Sequence, residues 1–458
     1  MQKAVSMVRF FVMLYPRAMT KKHIGWMIGL VGLLTSIGLT FSVAAARVGM
    51  ISAPEVIPGQ FIVVFKDAAA NPDQIETRLA ARMQGARIAS YRSAINGFAA
   101  QLSEEDRATL AVDPDVAYVA EDRIVSSSEI REERVRERLS IAGHTSNTGP
   151  LPPAQVLPSG VNRINAENKI NTGAGVHVAV VDSGILLGHP DLKNNIVGGK
   201  SCVSSSGGFT DQNGHGSHVA GVIAAINNTQ GVVGVAPGAK LWSIRVLDRN
   251  GYGSYSSIIC GLDFIVTKSP QFGGPIKVAN ISLGGGGTND NNCGNTNNDP
   301  LHKAICRVRD AGVTIVAAAG NSGANANDYV PAAYDDAVIS VSALVDSDGA
   351  LGGLGSSSTY GADDTFATFS NFGTSVDLGA PGYNINSTWL SNTYRSVSGT
   401  SMASPHVAGA AALYIATHPS ALWEEVKNAL ITGGEAAGSG HYNGNGLHPE
   451  AVVRADAL

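Results

Sequence analysis

A chain of 458 residues with 54 glycines and only 15% charged residues is too long for one average domain, and it is neither a charged coiled coil nor a polyampholytic disordered segment. The glycines follow no G-X-Y period, which excludes a collagen. A net charge of −5 without a large Lys/Arg cluster excludes a nucleic-acid footprint, and the charge is uneven: 17 basic against 15 acidic residues before Ala154, 15 against 22 from there on.

In chain order, Lys21 and Lys22 precede an uncharged run over residues 24–46 that ends Val43-Ala44-Ala45-Ala46. A basic start, an apolar core and a small-residue cleavage site read as a secretory signal over 1–46. The run approaches spanning length, so an uncleaved anchor is the alternative. Residues 47–125 read as a small α+β unit. Phe61-Ile62-Val63-Val64-Phe65 is a strand. A helix follows over 71–83, with Pro72 near its start and Ile75, Leu79 and Met83 on one face. Strands are predicted over 88–91 and 97–102, a helix opened by Ser103-Glu104-Glu105, and a last strand over 115–122. The order β-α-β-β-α-β is the ferredoxin-like arrangement, which by itself names no function.

Residues 126–153 read as a linker. Its mixed-sign run over 129–138 is a solvated helix, and Gly149, Pro150, Pro152 and Pro153 then break the chain. From Ala154 to Leu458 the pattern is α/β. Apolar runs at 176–181, 241–246, 278–283, 313–319 and 338–341 end in polar or Gly-rich turns. Helix-like stretches lie between them at 217–226, 256–267, 301–311 and 404–417. Strands of this kind form a mostly parallel sheet covered on both faces, a three-layer sandwich with its site at the carboxyl ends of the strands. Cys293 and Cys306 flank an Asn-rich loop and can pair in an oxidising compartment. Cys202 and Cys260 have no evident partner, and Cys260, in an apolar helical run, reads as a small buried hydrophobe.

Four segments carry chemistry. Asp182-Ser183-Gly184 ends an apolar strand. Gly214-His215-Gly216-Ser217-His218 opens a helix, its glycines allowing close backbone approach. The H-x-x-H spacing lacks the Glu of H-E-x-x-H and is not a zinc motif. Ala319-Gly320-Asn321 ends another strand with an amide able to donate to an oxyanion. Gly399-Thr400-Ser401-Met402-Ala403-Ser404-Pro405 places Ser401 at the mouth of a helix, where negative charge is favoured. Pro405 is expected in that helix's first turn.

These segments, in this order, resemble the signature segments of the subtilisin-like serine proteases, and the resemblance covers about residues 154–458. The segment from Asn250 to Tyr255 is most similar to the proteinase K branch. The resemblance implies a serine endopeptidase. His215 would take the proton of Ser401, Asp182 would orient the imidazole, and Asn321 with the Ser401 backbone N–H would hold the oxyanion. Val63-Val64-Phe65-Lys66, Gly97-Phe98-Ala99 and the segment from Val116 to Asp122 resemble the family's inhibitor propeptide, with processing expected somewhere in 126–153. Substrate would add as a strand beside Ser282-Leu283-Gly284 and Gly251-Tyr252-Gly253, so recognition would be broad. Tyr329, by its position relative to Pro331, resembles a wall of the S1 pocket, implying apolar or aromatic P1 residues.

Side chains of Gln155, Asp191 and Asn228, with carbonyls of Ile226, Gln230 and Val232, match a family calcium site, an all-oxygen shell suited to a hard cation. No organic cofactor is implied. The expected partners are polypeptide substrates and the chain's own propeptide, and the expected state is a secreted monomer. Long insertions at 286–300 and 347–365 depart from the pattern; the second carries Asp348, Asp363 and Asp364. The alternatives to a broad secreted protease are a membrane-anchored processing enzyme of narrow specificity and a catalytically silent binding protein on the same fold.

Overall fold

The computed structural model describes residues 55–127, 154–167, 169–203, 207–442, 446–456 and 458. The signal segment and residues 128–153 of the linker lie outside the described residues. Among the described residues, no helix is long and apolar enough to cross a membrane.

The N-terminal unit has the expected order: β1 (Val56–Phe65), α1 (Pro72–Ala80), β2 (Arg87–Tyr91), β3 (Gly97–Gln101), α2 (Glu104–Ala111) and β4 (Val116–Ser127). The strands run β4-β1-β3-β2, all antiparallel. Helix α1 starts at Pro72 behind the Asn71 side chain, and α2 is capped reciprocally by Ser103 and Asp106, each cap satisfying N–H groups the first turn cannot. Period-two alternation splits the β1 side chains. Phe61, Val63 and Phe65 pack with Leu79, Phe98 and Leu110 under the unit's own helices. Ile62 and Val64 join Tyr91 and Ala99 in a cluster with Tyr255, Ile258, Ile259 and Leu262 of the larger unit. The sheet is therefore buried on both faces. Strand β4 does not stop at Asp122 but continues to Ser127, because its last residues find pairing partners in the larger unit.

That unit is built on eight parallel strands in the order β18-β15-β13-β11-β9-β5-β7-β6, with short β14 (Thr365–Phe366) antiparallel to β13. The central members are β5 (His177–Asp182), β7 (Lys240–Arg245), β9 (Ile276–Ile281), β11 (Thr314–Ala318) and β13 (Ile339–Val345). The remaining strands are β6 (Ile196–Ser201), β15 (Leu378–Pro381) and β18 (Ala451–Val452). Val178 and Val180 of β5 pack with helix α4 (His215–Ala224) and helix α7 (Thr400–Thr417) on one face. Ala179 and Val181 pack with α5 (Tyr255–Thr267) and α6 (Pro300–Asp310) on the other. Two-sided burial is why these strands read as continuous apolar runs.

Two expectations are corrected. Cys202, just past β6, and Cys260, inside α5, form a disulfide with Cα atoms 5.8 Å apart; the pairing is tertiary, across 58 residues, and no local spacing reveals it. Cys293 and Cys306 also pair. Pro405 lies inside α7, which starts at Thr400, so it falls in the second turn. A helix interior normally rejects proline because residue i−4 loses its donor. Here that acceptor is the Ser401 carbonyl, and the Ser282 hydroxyl donates to it at 3.0 Å.

Candidate active site

Asp182 ends β5 and is fully buried. Both of its oxygens lie 2.9 Å from Nδ1 of His215, the first residue of α4. The approach of α4 to β5 requires a residue without a side chain at the second position: a Cβ on Gly216 would stand 2.2 Å from the Gly184 carbonyl and 3.1 Å from Asp182. The other ring nitrogen of His215, Nε2, is buried without a hydrogen-bond partner among the described residues. His218 is not a metal partner of His215. Its Nε2 meets the carbonyls of Ile385 and Arg395 at 2.9 and 3.0 Å, and burial pushes it down to about 3, so it is a neutral donor to backbone.

Ser401 lies in the first turn of α7, buried, with its hydroxyl donating to the Ser282 carbonyl at 3.0 Å rather than to His215. Catalytic hydrogen bonds are often unformed without a reacting substrate. A buried chain sets this turn. Ser404 donates to Asn280 Oδ1 at 2.8 Å, the Asn280 side-chain amide donates to Ser282 Oγ at 2.9 Å, and the Ser282 hydroxyl donates to the Ser401 backbone carbonyl. Asn321 follows β11. Its Oδ1 accepts from the Thr400 N–H and hydroxyl, both at 2.9 Å. Because an N–H can only donate, this fixes the amide orientation, and the donor end of Asn321 is Nδ2.

Sequence reasoning missed Asp211. Its buried carboxylate accepts five bonds, from the Ser183 hydroxyl, the N–H groups of Asn213, Gly214 and Ser217, and the Ser217 hydroxyl. It thereby ties the strand end carrying Asp182 to the turn carrying His215. An Asp three residues ahead of the Gly214-His215 pair that opens the helix was the available signal.

The predicted substrate strands hold the end of β4. Strand β8 (Tyr252–Ser254) pairs antiparallel with it, Ile124 opposite Ser254, Val125 opposite Gly253 and Ser126 opposite Tyr252. On its other side, β10 (Leu283–Gly286) sets Ser127 opposite Leu283 and Ser126 opposite Gly284. The Gly251 carbonyl accepts from the Ser127 N–H at 3.0 Å. Tyr329, half-buried on β12 (Tyr329–Val330), pairs with Gly286 on the far edge of β10. Polar caps fasten the rest of the N-terminal unit. Asp122 accepts from the Ser256 N–H in the first turn of α5 at 3.0 Å. Asp263 of α5 accepts from the N–H groups of Arg92, Ser93 and Ala94 at 2.9, 2.6 and 2.9 Å.

The six predicted calcium ligands fall in one region. The Gln155 amide donates to the carbonyls of Ile226 and Val232 at 3.3 and 3.4 Å. Buried Asp191 accepts from the Asn228 amide at 3.1 Å, the Val232 N–H at 3.0 Å and the Tyr394 hydroxyl at 2.9 Å. The Gln230 N–H donates to Asn228 at 2.6 Å.

Residues 173–446 match the family model "Subtilase family", and residues 60–128 match "Peptidase inhibitor I9". The chain belongs to the subtilase family. This subtilase is 40% identical over 301 residues to subtilisin DY of Bacillus licheniformis, a match spanning 64% of this chain and 97% of that one. It is 34% identical over 448 residues to an alkaline protease of Alkalihalobacillus alcalophilus, spanning 95% of this chain and all of the other. A crystal structure of a cold-adapted subtilisin-like serine proteinase superposes with a TM-score of 0.54 at 30% identity, covering 66% of this chain and 98% of that one. The subtilase is a serine endopeptidase made as a proenzyme, with the I9 domain as its propeptide.

Proposed function

We propose that this chain is a secreted endopeptidase of broad specificity whose chemistry runs on Asp182, His215, Ser401 and Asn321, and that the peptidase domain occupies 154–458 behind a propeptide over 47–125. Ser401 attacks a peptide carbonyl while His215 Nε2 takes its proton. Asp182, bonded to Nδ1, holds the ring and stabilises its charged form. Nδ2 of Asn321 and the Ser401 N–H receive the oxyanion. His215 then protonates the leaving amine, and water hydrolyses the acyl-enzyme. Placement beside the proteinase K branch rests on the segment from Asn250 to Tyr255.

The observation that carries this reading is the strand insertion of β4 between β8 and β10. The propeptide uses the backbone mode a substrate would use, so recognition is largely independent of side chains. The same register supports a particular processing cut. Ser127 is opposite Leu283, and the residue just before that strand, Ser282, accepts through its carbonyl from the Ser401 hydroxyl. If the chain continued in that register it would reach Ser401 one residue after Ser127, and Ser128–Glu129, at the near end of the 126–153 interval, would be the bond cut. Intact mass of the wild type beside Ser401→Ala tests this. The wild type should lose everything through Ser128 and the variant should keep it. A mature chain beginning deep within 140–153 would refute the register, and equal processing of both proteins would refute self-cleavage. Appearance of the enzyme in the medium without residues 1–46 would support secretion; retention with the membrane would favour the anchored reading. Tyr329 beside β10 supports an apolar or aromatic P1 preference, which cleavage only after Arg or Lys in a peptide library would overturn.

A structural calcium ion fits Gln155, Asp191, Asn228 and the carbonyls of Ile226, Gln230 and Val232. The Gln155 amide N–H2 bridges two of these carbonyls and the Asn228 amide N–H2 meets Asp191, so both amides would have to turn over to give an all-oxygen set around the buried carboxylate. Such an ion supplies charge compensation and cross-linking, not chemistry at the reacting bond.

A further inference from the structure

The insertion at 347–365 contains none of the residues proposed above for catalysis, substrate binding or the calcium site at Asp191. It brings three carboxylates together. One oxygen from each of Asp346, Asp348 and Asp363 lies within 4.8 Å of the other two. Asp346 and Asp363 are 1% and 4% exposed, whereas Asp348 faces solvent. Three carboxylates by themselves make no site; the second observation is at Asp346. Its Oδ1 accepts from the Gly349 N–H at 2.9 Å, but its Oδ2 is buried with no hydrogen-bond partner among the described residues. A carboxylate oxygen buried without a partner costs several kcal/mol unless something compensates it.

No cationic side chain among the described residues pairs with that oxygen. Among the described residues, Asp346, Asp348 and Asp363 form no ion pair. The neighbouring guanidinium, Arg163, is committed to Asp364 at 2.7 Å and to Glu435 at 2.8 Å. The other carboxylate oxygens are oriented by the loop. Ser347 N–H and hydroxyl donate to Asp363 Oδ1 at 2.7 and 3.0 Å, Gly355 N–H to Asp363 Oδ2 at 2.8 Å, and Ala350 N–H to Asp348 Oδ1 at 2.9 Å.

We propose that Asp346, Asp348 and Asp363 bind a hard divalent cation of the calcium class, a site separate from the one at Asp191. Clustered carboxylate oxygens with an exposed entry at Asp348 suit such an ion, which accepts irregular oxygen shells and retains water on its open side. The position gives the ion a structural role. The insertion touches both ends of the peptidase unit: Asn162, in helix α3 (Ser159–Arg163), donates to the Gly349 carbonyl at 3.0 Å, and Gly352 N–H to the Gly440 carbonyl at 3.2 Å. An ion held at Asp346 would lock the insertion in the conformation that makes these contacts.

The test uses the full chain with Ser401→Ala as parent, so that self-digestion plays no part and its outcome does not depend on the catalytic reading. The chain is stripped with a chelator, and bound calcium is then counted by equilibrium dialysis. Asp346→Asn should bind one calcium fewer than the parent. Asp191→Asn should affect a different ion, so that the losses add in the double variant. Without calcium, Asp346→Asn should melt at or above the parent's temperature, since it removes a buried charge; with calcium it should melt below. Asp348→Asn, altering only an exposed side chain, should keep the fold and weaken the affinity several-fold. Equal calcium stoichiometry and equal calcium-induced melting shifts in parent, Asp346→Asn and Asp348→Asn would overturn the proposal.

Discussion

Asn321 illustrates how a single side chain is committed before substrate arrives. Thr400 takes its carbonyl end twice, which leaves the amide N–H2 as the donor and removes the cost of orienting it during reaction. In subtilisin, a member of the same family, loss of this kind of donor costs about 10²–10³ in kcat, and Asn321→Ala should fall in that range with KM little changed. Thr400→Val keeps the backbone N–H bond to Asn321 but removes a hydroxyl that donates to Asn321 and accepts from the Gly320 N–H at 3.1 Å, so a smaller loss in kcat is expected. To the extent that Thr400 acts by orienting Asn321, the double variant should be no slower than Asn321→Ala alone. Additive losses would show that the hydroxyl has another role. Steady-state kinetics on one peptide substrate separates these outcomes.

At the scale of elements, the five central parallel strands and the principal helices were legible because burial on both faces writes them as apolar runs between turns, whereas the short strands β15 and β18 were not. Nor was strand β6. Its sequence, Ile196–Ser201, contains two glycines that pack against aromatic rings, with Gly198 against Trp242 and Gly199 against Phe209, so the packing lies in its neighbours. The four residues proposed for catalysis could be picked out from the sequence because each sits in its own contiguous motif. Asp211, Thr400 and the Cys202–Cys260 pair were not, because their meaning lies in contacts between motifs. The two disulfides can be ranked by the loops they close, across 58 and 13 residues. Chain entropy assigns about 4 kcal/mol to the longer and about 3 kcal/mol to the shorter. Paired Cys→Ser changes at 202 and 260 should therefore lower the melting temperature more than the same changes at 293 and 306, read by calorimetry on the Ser401→Ala chain. The glycines of β10 also divide. A Cβ on Gly284 would press on the Val330 carbonyl of the enzyme itself, whereas one on Gly285 would face the Ile124 carbonyl of the propeptide. Gly285→Val should raise KM several-fold for extended peptides and leave a small ester, which spans only the reacting bond, nearly unaffected. Equal changes for both substrates would place the role of Gly285 away from the cleft.

For the whole molecule, stability against pH is set by carboxylates whose environments push in opposite directions. In the propeptide, the bond from Arg78 holds Asp113 down to about 2. A depressed carboxyl stabilises above its unfolded value near 4 and loses that contribution only as pH falls through 2, so it leaves no slope in the neutral range. Asp377 in the peptidase unit behaves oppositely. Burial pushes it up to about 6 despite Lys427 at 2.8 Å and the Ser340 N–H at 2.9 Å. The folded chain therefore holds its proton more tightly than the unfolded chain does. Its contribution is complete below about pH 4 and declines as pH rises through 6, after which it is flat. Asp377→Asn should accordingly flatten the fall in melting temperature between pH 4 and 6.5 and leave the region above pH 7 parallel to the parent. The Ser401→Ala chain is again the right background, and calcium must be held constant, since the ions proposed at Asp191 and Asp346 would add their own dependence. Removing calcium with a chelator at fixed pH should lower the melting temperature, because buried Asp191 then keeps only its hydrogen bonds. A pH profile of Asp377→Asn superimposable on the parent's would show that Lys427 compensates the buried carboxylate fully, and the acid-side slope would then have to come from another group.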